Sequence, residues 1–421
     1  MKHRRHLAST MILLLAAVNL NAQAITLSEC FESARTNSEL SQNFLTLDES
    51  GSLDESISRA RNLPSIQVSG QASYQSDVFG LPINSAVLEL PTVPKDQYNL
   101  SLKLTQKLYD GGIASVKEKL DRLENQSAKD GLEIKLYELN SIISQLYFGV
   151  LQSTANTKVL EVKLGELKNQ QKRIKAGLEN GVVLPSTKYE IEKALIEVES
   201  NLRSLSQLRL AQANSLSSWT GQEINPQQLV IPENETKFSN LNRPELDMFA
   251  TSKEKLAANE NMVRASNLPK VSAFASGGFG QPNPLNFMET DLNSYYMIGA
   301  RLEWNVFDWG NAKNQRAKLA LQQDMLVREE AHFVKTVNNQ ADLVIQEIAR
   351  LENDLYADSK QFELQQKIFD SDKNRFELGV LSASDYVSSL NELQQLDLQK
   401  ELDQIAISMK KTELLILTGN I

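Results

Sequence analysis

Two periodicities divide the chain. From Leu63 to Tyr74 it reads LPSIQVSGQASY, in which Ile66, Val68, Gly70, Ala72 and Tyr74 alternate with Gln67, Ser69, Gln71 and Ser73. A period of two gives a β-strand one apolar and one polar face. Leu100, Leu102 and Leu104 alternate in the same way with Ser101, Lys103 and Thr105. So do Ile298, Ala300, Leu302, Trp304 and Val306 with Gly299, Arg301, Glu303 and Asn305. Elsewhere the period lengthens. Leu132, Leu136, Leu139, Ile143, Leu146 and Val150 recur at steps of four and three, resuming at Leu160, Leu164 and Leu167. Val334, Val337, Ala341, Val344, Ile348, Leu351 and Leu355 repeat that register. Such a 3.5-residue repeat marks helices supercoiled against neighbours.

The pattern is written twice. RARNLP at Arg59–Pro64 returns as RASNLP at Arg264–Pro269, 205 positions later. LYDGG at Leu108–Gly112 returns as VFDWG at Val306–Gly310, now 198 later, and Gly181-Val182 and Thr220-Gly221 return at Gly379-Val380 and Thr418-Gly419 with the same offset. Each half predicts a helix (about Thr26–Arg61; Pro244–Ser266) and a strand pair. The strands fall at about 65–76 and 98–109, then at about 270–280 and 295–307. A long helix (about 112–178; 310–378) and a return helix (about 187–218; 385–417) complete each half. The repeats run over 25–221 and 244–421, with a polar connector at 222–243 containing Pro226 and Pro232. No proline lies between Pro94 and Pro185 or after Pro284, so each long helix is predicted as an unbroken rod of roughly 100 Å. Two repeats are too few for a solenoid, and a duplicated half that closes within an oligomer fits better.

The termini and charge narrow the setting. Lys2, Arg4 and Arg5, an apolar run from Leu7 to Val18 and Ala22-Gln23-Ala24 form a secretory signal peptide over residues 1–24. Losing those three cations takes the formal charge from −9 to −12, which argues against nucleic acid as a partner. Cys30, the single cysteine, reads as a small core residue without the small residues that precede a lipid-attachment cysteine. No later run of 18 apolar residues exists, so no spanning helix is predicted; transmembrane strands, which alternate, escape that test.

Four strands cannot close a barrel alone. Each is about 10–12 residues, near the length that crosses a bilayer tilted. Their apolar sides are expected to carry Tyr74, Tyr98, Tyr109, Tyr295, Tyr296, Trp304 and Phe307 toward the ends, with Tyr74, Tyr98, Tyr109, Tyr295 and Trp304 at the lipid interface. An exported chain with such strands points to the outer membrane, apolar face to lipid, with several chains sharing one barrel.

Taken together, these residues resemble the TolC-type outer membrane efflux channels over essentially the whole mature chain. The sharpest motif is Arg375-Phe376-Glu377-Leu378-Gly379-Val380-Leu381-Ser382-Ala383-Ser384-Asp385, similar to the family's Arg-aromatic-x-x-Gly…Ser-x-x-Asp turn. The resemblance implies a mostly α protein with transmembrane β-strands. As a homotrimer it would form a 12-stranded outer-membrane barrel continuous with a 12-helix periplasmic tunnel. It implies a passive exit duct in outer-membrane lipid, with no enzymatic activity and no cofactor. A periplasmic adaptor and an inner-membrane pump of RND or ABC type would dock at the helical turns. The docking residues it implies are Gly181, Val182, Leu184, Pro185, Ser186, Arg375, Phe376, Gly379, Val380, Leu381 and Ser382, and an acidic ring at the entrance would fall on Asp385. A carboxylate favoured by the helix N-terminus is an equal reading of Asp385. The family's second acid is replaced by Ser388, and the first turn has Gly177 and Thr187 where the second has Arg375 and Asp385.

The competing reading is a soluble periplasmic coiled-coil structural protein. Catalytic chemistry is thinly represented. His332 is the one histidine outside the leader, which with one cysteine makes a His/Cys metal site improbable. Gly277-Gly278-Phe279-Gly280 lacks the Lys-Ser/Thr of a phosphate loop and reads as strand glycine near a barrel rim.

Overall fold

The structure, a computed structural model, describes residues 24–78, 92–180, 183–233, 240–286 and 288–421. The leader lies outside the described residues, as do Gly181 and Val182 and most of the first inter-strand loop. The elements run α1 (Leu27–Asn37), α2 (Glu39–Ala60), β1 (Ser65–Tyr74), β2 (Asp96–Tyr109), α3 (Ile113–Glu179) and α4 (Pro185–Thr220). After a 3-10 turn at Pro226–Gln228 come α5 (Pro244–Ser266), β3 (Lys270–Gln281), β4 (Asn293–Glu303), α6 (Asn311–Glu377) and α7 (Ala383–Thr418).

The rods α3 and α6 have 67 residues each and their return helices α4 and α7 have 36 each. Both ends of both pairs are offset by 198 positions, so the half of the repeat that is gapless in sequence is gapless in space. The strand-to-rod joints are built alike. Asp110 accepts from the N–H of Gly112 and Ala114, at 2.9 and 2.8 Å. Asp308 does the same for Gly310 and Ala312, at 3.0 and 2.7 Å. Each carboxylate satisfies donors that a helix start leaves unpaired. Gln106 Nε2 reaches the Asn62 carbonyl at 3.0 Å, and Trp304 Nε1, 198 positions on, reaches that of Asn267 at 3.1 Å.

The first helix is broken, where the sequence predicted one rod from Thr26 to Arg61. Ser38 is extended (φ −67°, ψ 128°), and its hydroxyl accepts from the Leu40 N–H at 3.3 Å, capping α2. Serine offers the backbone this alternative to helix continuation. Strand β4 ends at Glu303, short of the expected Phe307, which leaves Trp304 and Phe307 in the link to α6.

The strands form one antiparallel sheet in the order β1-β2-β3-β4, so the two halves meet at β2–β3 and the outer edges of β1 and β4 remain open. Directly paired residues share a face: Val68, Leu102, Gly277 and Tyr296 make one rung, and Ser69, Ser101, Gly278 and Tyr295 the next. The first face is mainly apolar; the second is mainly polar but also carries Phe274 and Met297. Among the described residues no helix is long and apolar enough to cross a membrane.

The 3.5-residue stripe lies in the helix packing. Leu132, Leu136, Leu139, Ile143 and Val150 are buried on α3, and Val337, Ala341, Val344, Ile348 and Leu351 on α6. Midway along the rods, α1, α4, α7 and the connector surround the fully buried Tyr147 and Phe148. The Tyr147 hydroxyl lies 2.8 Å from the Ile25 carbonyl and 2.7 Å from that of Val230. This ties the segment before α1 to the connector. Cys30 belongs to the same core, where burial, aided by Glu29, pushes its thiol pKa up to about 12. It packs as an inert apolar group.

Candidate functional site

Two regions carry the residues singled out by sequence: the far ends of the helical hairpins and the sheet. At the α6–α7 turn, Gly379 adopts φ +75°, a left-handed conformation that L-residues with a Cβ reach only with strain. Its N–H donates to Phe376 O at 2.9 Å, and those of Val380 and Leu381 donate to Arg375 O at 2.8 and 3.2 Å. These bonds close the last turn of α6. Ser382 opens α7, its Oγ accepting from the Asp385 N–H at 3.1 Å and donating to Asp385 Oδ2 at 2.7 Å. Asp385 is exposed and serves as a helix-start carboxylate here. Arg375 pairs with Asp372 at 3.2 Å on the same rod.

The first turn is built differently. Leu184 is extended and precedes α4 without a side-chain cap, and Pro185 takes the first helical position, where its missing N–H costs nothing. Ser186 is exposed, and Leu184 projects into solvent. Between the two turns lies a cleft of about 680 Å³, lined in part by Ile174, Val183, Leu184, Phe376, Val380 and Leu381. The two hairpin ends therefore face one another across a groove of mixed polarity, and a salt bridge between Arg173 and Glu377, both in its lining, joins the rods.

Beneath this groove sits a polar network that sequence reasoning missed. Tyr386 is fully buried, and its ring stacks on Phe376 at 4.6 Å with planes 15° apart. Its hydroxyl donates to Glu166 Oε1 on α3 at 2.6 Å. Gln170 Nε2 donates to the same oxygen at 3.1 Å, and Lys373 Nζ lies 3.0 Å away. Burial works against ionising Glu166, but the bonds from Tyr386, Gln170 and Lys373 outweigh it and hold its pKa below the usual range. Burial first, then Glu166, raises the Tyr386 phenol. The carboxylate is a charged knot between rods. A signal existed: Tyr386 follows the Ser-x-x-Asp cap directly, an aromatic on the inward side of the first α7 turn.

On the sheet, Tyr74, Tyr98 and Tyr296 lie on the apolar face. Tyr295 does not. Its neighbour Tyr296 takes that face, and Tyr295 stands on the polar one, its hydroxyl donating to Asn99 Oδ1 at 3.0 Å across β3. It lies beside Gly278, where an added Cβ would sit 2.1 Å from the Leu100 carbonyl oxygen. Tyr109 is the converse case. Strict alternation would seat it with Lys107, but a bulge between Lys107 and Tyr109 pairs it with Val271 on the apolar face. Trp304 lies just past β4, half exposed at its junction with the helices.

A third polar feature lies along α6 and α7. Asp403 is buried, and its Oδ2 finds no hydrogen-bond donor. Burial, and after it the nearby Asp358 and Asp354, raise its pKa against the opposing bond from Gln399. His332 is exposed on α6, and among the described residues no cluster of three or more His, Cys, Asp or Glu could hold a metal.

No protein-family model and no curated protein sequence matches the chain. Solved structures do. CusC, described in terms of folding and transmembrane channel formation, superposes with a TM-score of 0.70 at 14% identity, covering 94% of this chain and 92% of that one. The outer membrane protein VceC of Vibrio cholerae gives 0.67 at 15%, covering 93% and 96%. The open-state MtrE outer membrane channel of Neisseria gonorrhoeae gives 0.65 at 14%, covering 93% and 88%. The chain has the fold of these outer membrane channels.

Proposed function

We propose that the protein is the outer-membrane channel of a tripartite efflux or type I secretion system, a passive duct rather than an enzyme. The observation that carries this reading is the open four-stranded sheet set on two 67-residue rods. Among the described residues the outer edges of β1 and β4 have no strand partner, and no backbone edge can stay unpaired in lipid. Closure by three copies supplies twelve strands, with the apolar face to lipid and the polar face, including Lys103, Arg301 and Tyr295, to the bore. Tyr74 and Tyr98 mark one membrane boundary, and Tyr109 and Trp304 the other. The rods then cross the periplasm. The hairpin ends, with Gly181, Val182, Leu184, Pro185, Ser186, Arg375, Phe376, Gly379, Val380, Leu381 and Ser382, meet the adaptor that couples to an RND or ABC pump. Three Asp385 side chains near the axis repel one another and attract cations.

Fractionation of cells expressing the full chain tests this directly. The expected result is outer-membrane recovery and a heat-modifiable trimer in detergent. A monomer in the soluble periplasmic fraction would establish the structural coiled-coil alternative instead.

A further inference from the structure

The duplication leaves one joint covered and its counterpart bare. Within the chain, the end of α5 packs on the start of α3. Ala258 and Ala265 are 1% and 5% exposed there. A Cβ added to Gly111 would lie 2.5 Å from the Ala265 carbonyl oxygen and 2.9 Å from Leu268 Cβ. Higher on the same contact, Thr251 Oγ1 donates to the buried Asp130 at 2.5 Å, and Lys255 pairs with Glu124 at 2.6 Å. This is a junction between the two halves of the repeat.

Among the described residues its counterparts have no cover. The α5 positions Ala258, Met262, Ala265 and Leu268 correspond, at the 205 offset, to Leu53, Ile57, Ala60 and Leu63 on α2 and its link to β1. Leu53, Ile57 and Leu63 are 64%, 51% and 66% exposed, and Ala60 is exposed too. On the rod side, Gly111 corresponds at the 198 offset to Trp309. Trp309 is 87% exposed and holds φ +57°, the one positive φ outside glycine among the described residues. Phe307 meets it edge-on at 4.8 Å. Further along, Asp130 corresponds to the exposed Arg328, and Thr251 to the exposed Thr46 with Glu49 one turn on.

We infer that α2 of one copy docks on the start of α6 of the next, with Trp309 seated against Ala60 and Leu63 of that neighbouring copy. The partner is a second copy of this chain, because its own duplicated half already shows what covers this surface. Where the joint lies within a chain, a glycine lets backbone meet backbone. Where it lies between copies, a rigid aromatic fills the gap, and Arg328 takes the place of Asp130 opposite the Thr46–Glu49 turn. Trp309 and Gly111 thus distinguish the seam between chains from the seam within one. Large, rigid aromatics are the usual anchors of such contacts. This inference rests on the oligomeric channel reading above and adds which residues form its seam.

The test uses the full chain in outer-membrane extracts, with Leu63→Cys and Trp309→Cys combined, oxidised, and run without reductant. Trimers linked covalently between chains are expected for the pair and absent for either single variant. Trimers that persist unlinked would overturn the seam while leaving the channel reading intact; a wild-type chain that is monomeric would overturn the channel reading itself. Trp309→Ala, without cysteines, is expected to lower the trimer's dissociation temperature by roughly 5 °C, and no change would count against the seam. With Trp219 and Trp304 replaced by Phe, Trp309 emission should resist quenching by brominated lipid. Strong quenching would assign Trp309 to the bilayer and remove it from the seam.

Discussion

Phe376 and Tyr386 stack 4.6 Å apart across the α6–α7 turn, and the hydroxyl of Tyr386 is anchored on Glu166, 220 positions earlier in the chain. The exposed turn is thereby bolted to the opposite rod through a half-buried carboxylate. Replacing Tyr386 by Phe keeps the stack and removes one donor from Glu166, which retains Gln170 and Lys373; a loss of about 1–2 kcal/mol is expected. Tyr386→Ala removes the ring as well and should cost about 3–5 kcal/mol locally. Amide exchange at the ends of α6 and α7 checks both, with the alanine variant opening much faster and the barrel unaffected.

Gly379 separates conformation from crowding. A Cβ there would meet nothing within 4 Å among the described residues, but φ is +75° and the N–H is bonded to Phe376 O. Gly379→Ala should therefore cost about 1–2 kcal/mol. Gly379→Pro, which removes the N–H and forces negative φ, should rebuild the turn altogether. The expected outcome is loss of drug resistance with trimers still present in the membrane. Normal resistance in the proline variant would take this turn out of adaptor docking.

Asp385 carries two roles that a substitution can part. Asp385→Asn keeps an acceptor for Ser382 and drops the charge, whereas Asp385→Ala drops both. If the side chains form a ring at the entrance, both variants should lose cation block of the pore in planar bilayers. The start of α7 should loosen in both variants, by about 0.5–1 kcal/mol for the lost charge and further in the alanine variant, which also loses the acceptor for Ser382. Unchanged block in both would remove Asp385 from the gate.

Asp403 predicts a pH dependence with a definite sign. Its folded-state pKa is raised by burial and by Asp358 and Asp354, so the unfolded chain ionises it first. Folding is penalised as pH rises from the ordinary carboxylate value through the folded one, and the penalty is complete above that. Asp403→Asn should raise the melting temperature at neutral pH by roughly 2–4 °C. The gain should close below about pH 4, where the carboxyl is protonated in both states. An equal gain at every pH would point to packing instead.

The architecture was legible because its signals are local or translational. The 3.5-residue stripe from Leu132 to Val150 is the stripe buried on α3, and the 198 offset between LYDGG and VFDWG is the offset between two rods of equal length. The break at Ser38 was hidden, because a serine inside a helical pattern reads as a tolerated surface residue until its hydroxyl is seen capping Leu40.

By itself the sequence determined the periods, the duplication and the glycine turn at Gly379 with Ser382 after it, all readable from a few neighbouring residues or from a fixed offset. The tertiary structure alone decided which face Tyr109 occupies and which distant groups meet, whereas Tyr295 follows the alternation of Gly299 and Arg301 onto the polar face. Alternation counts residues along one strand, and a single extra residue at the Lys107 bulge reverses the count for everything beyond it. The Glu166–Tyr386 bond and the bare faces of α2 and α6 depend on how rods stack side by side, a relation that no local period contains.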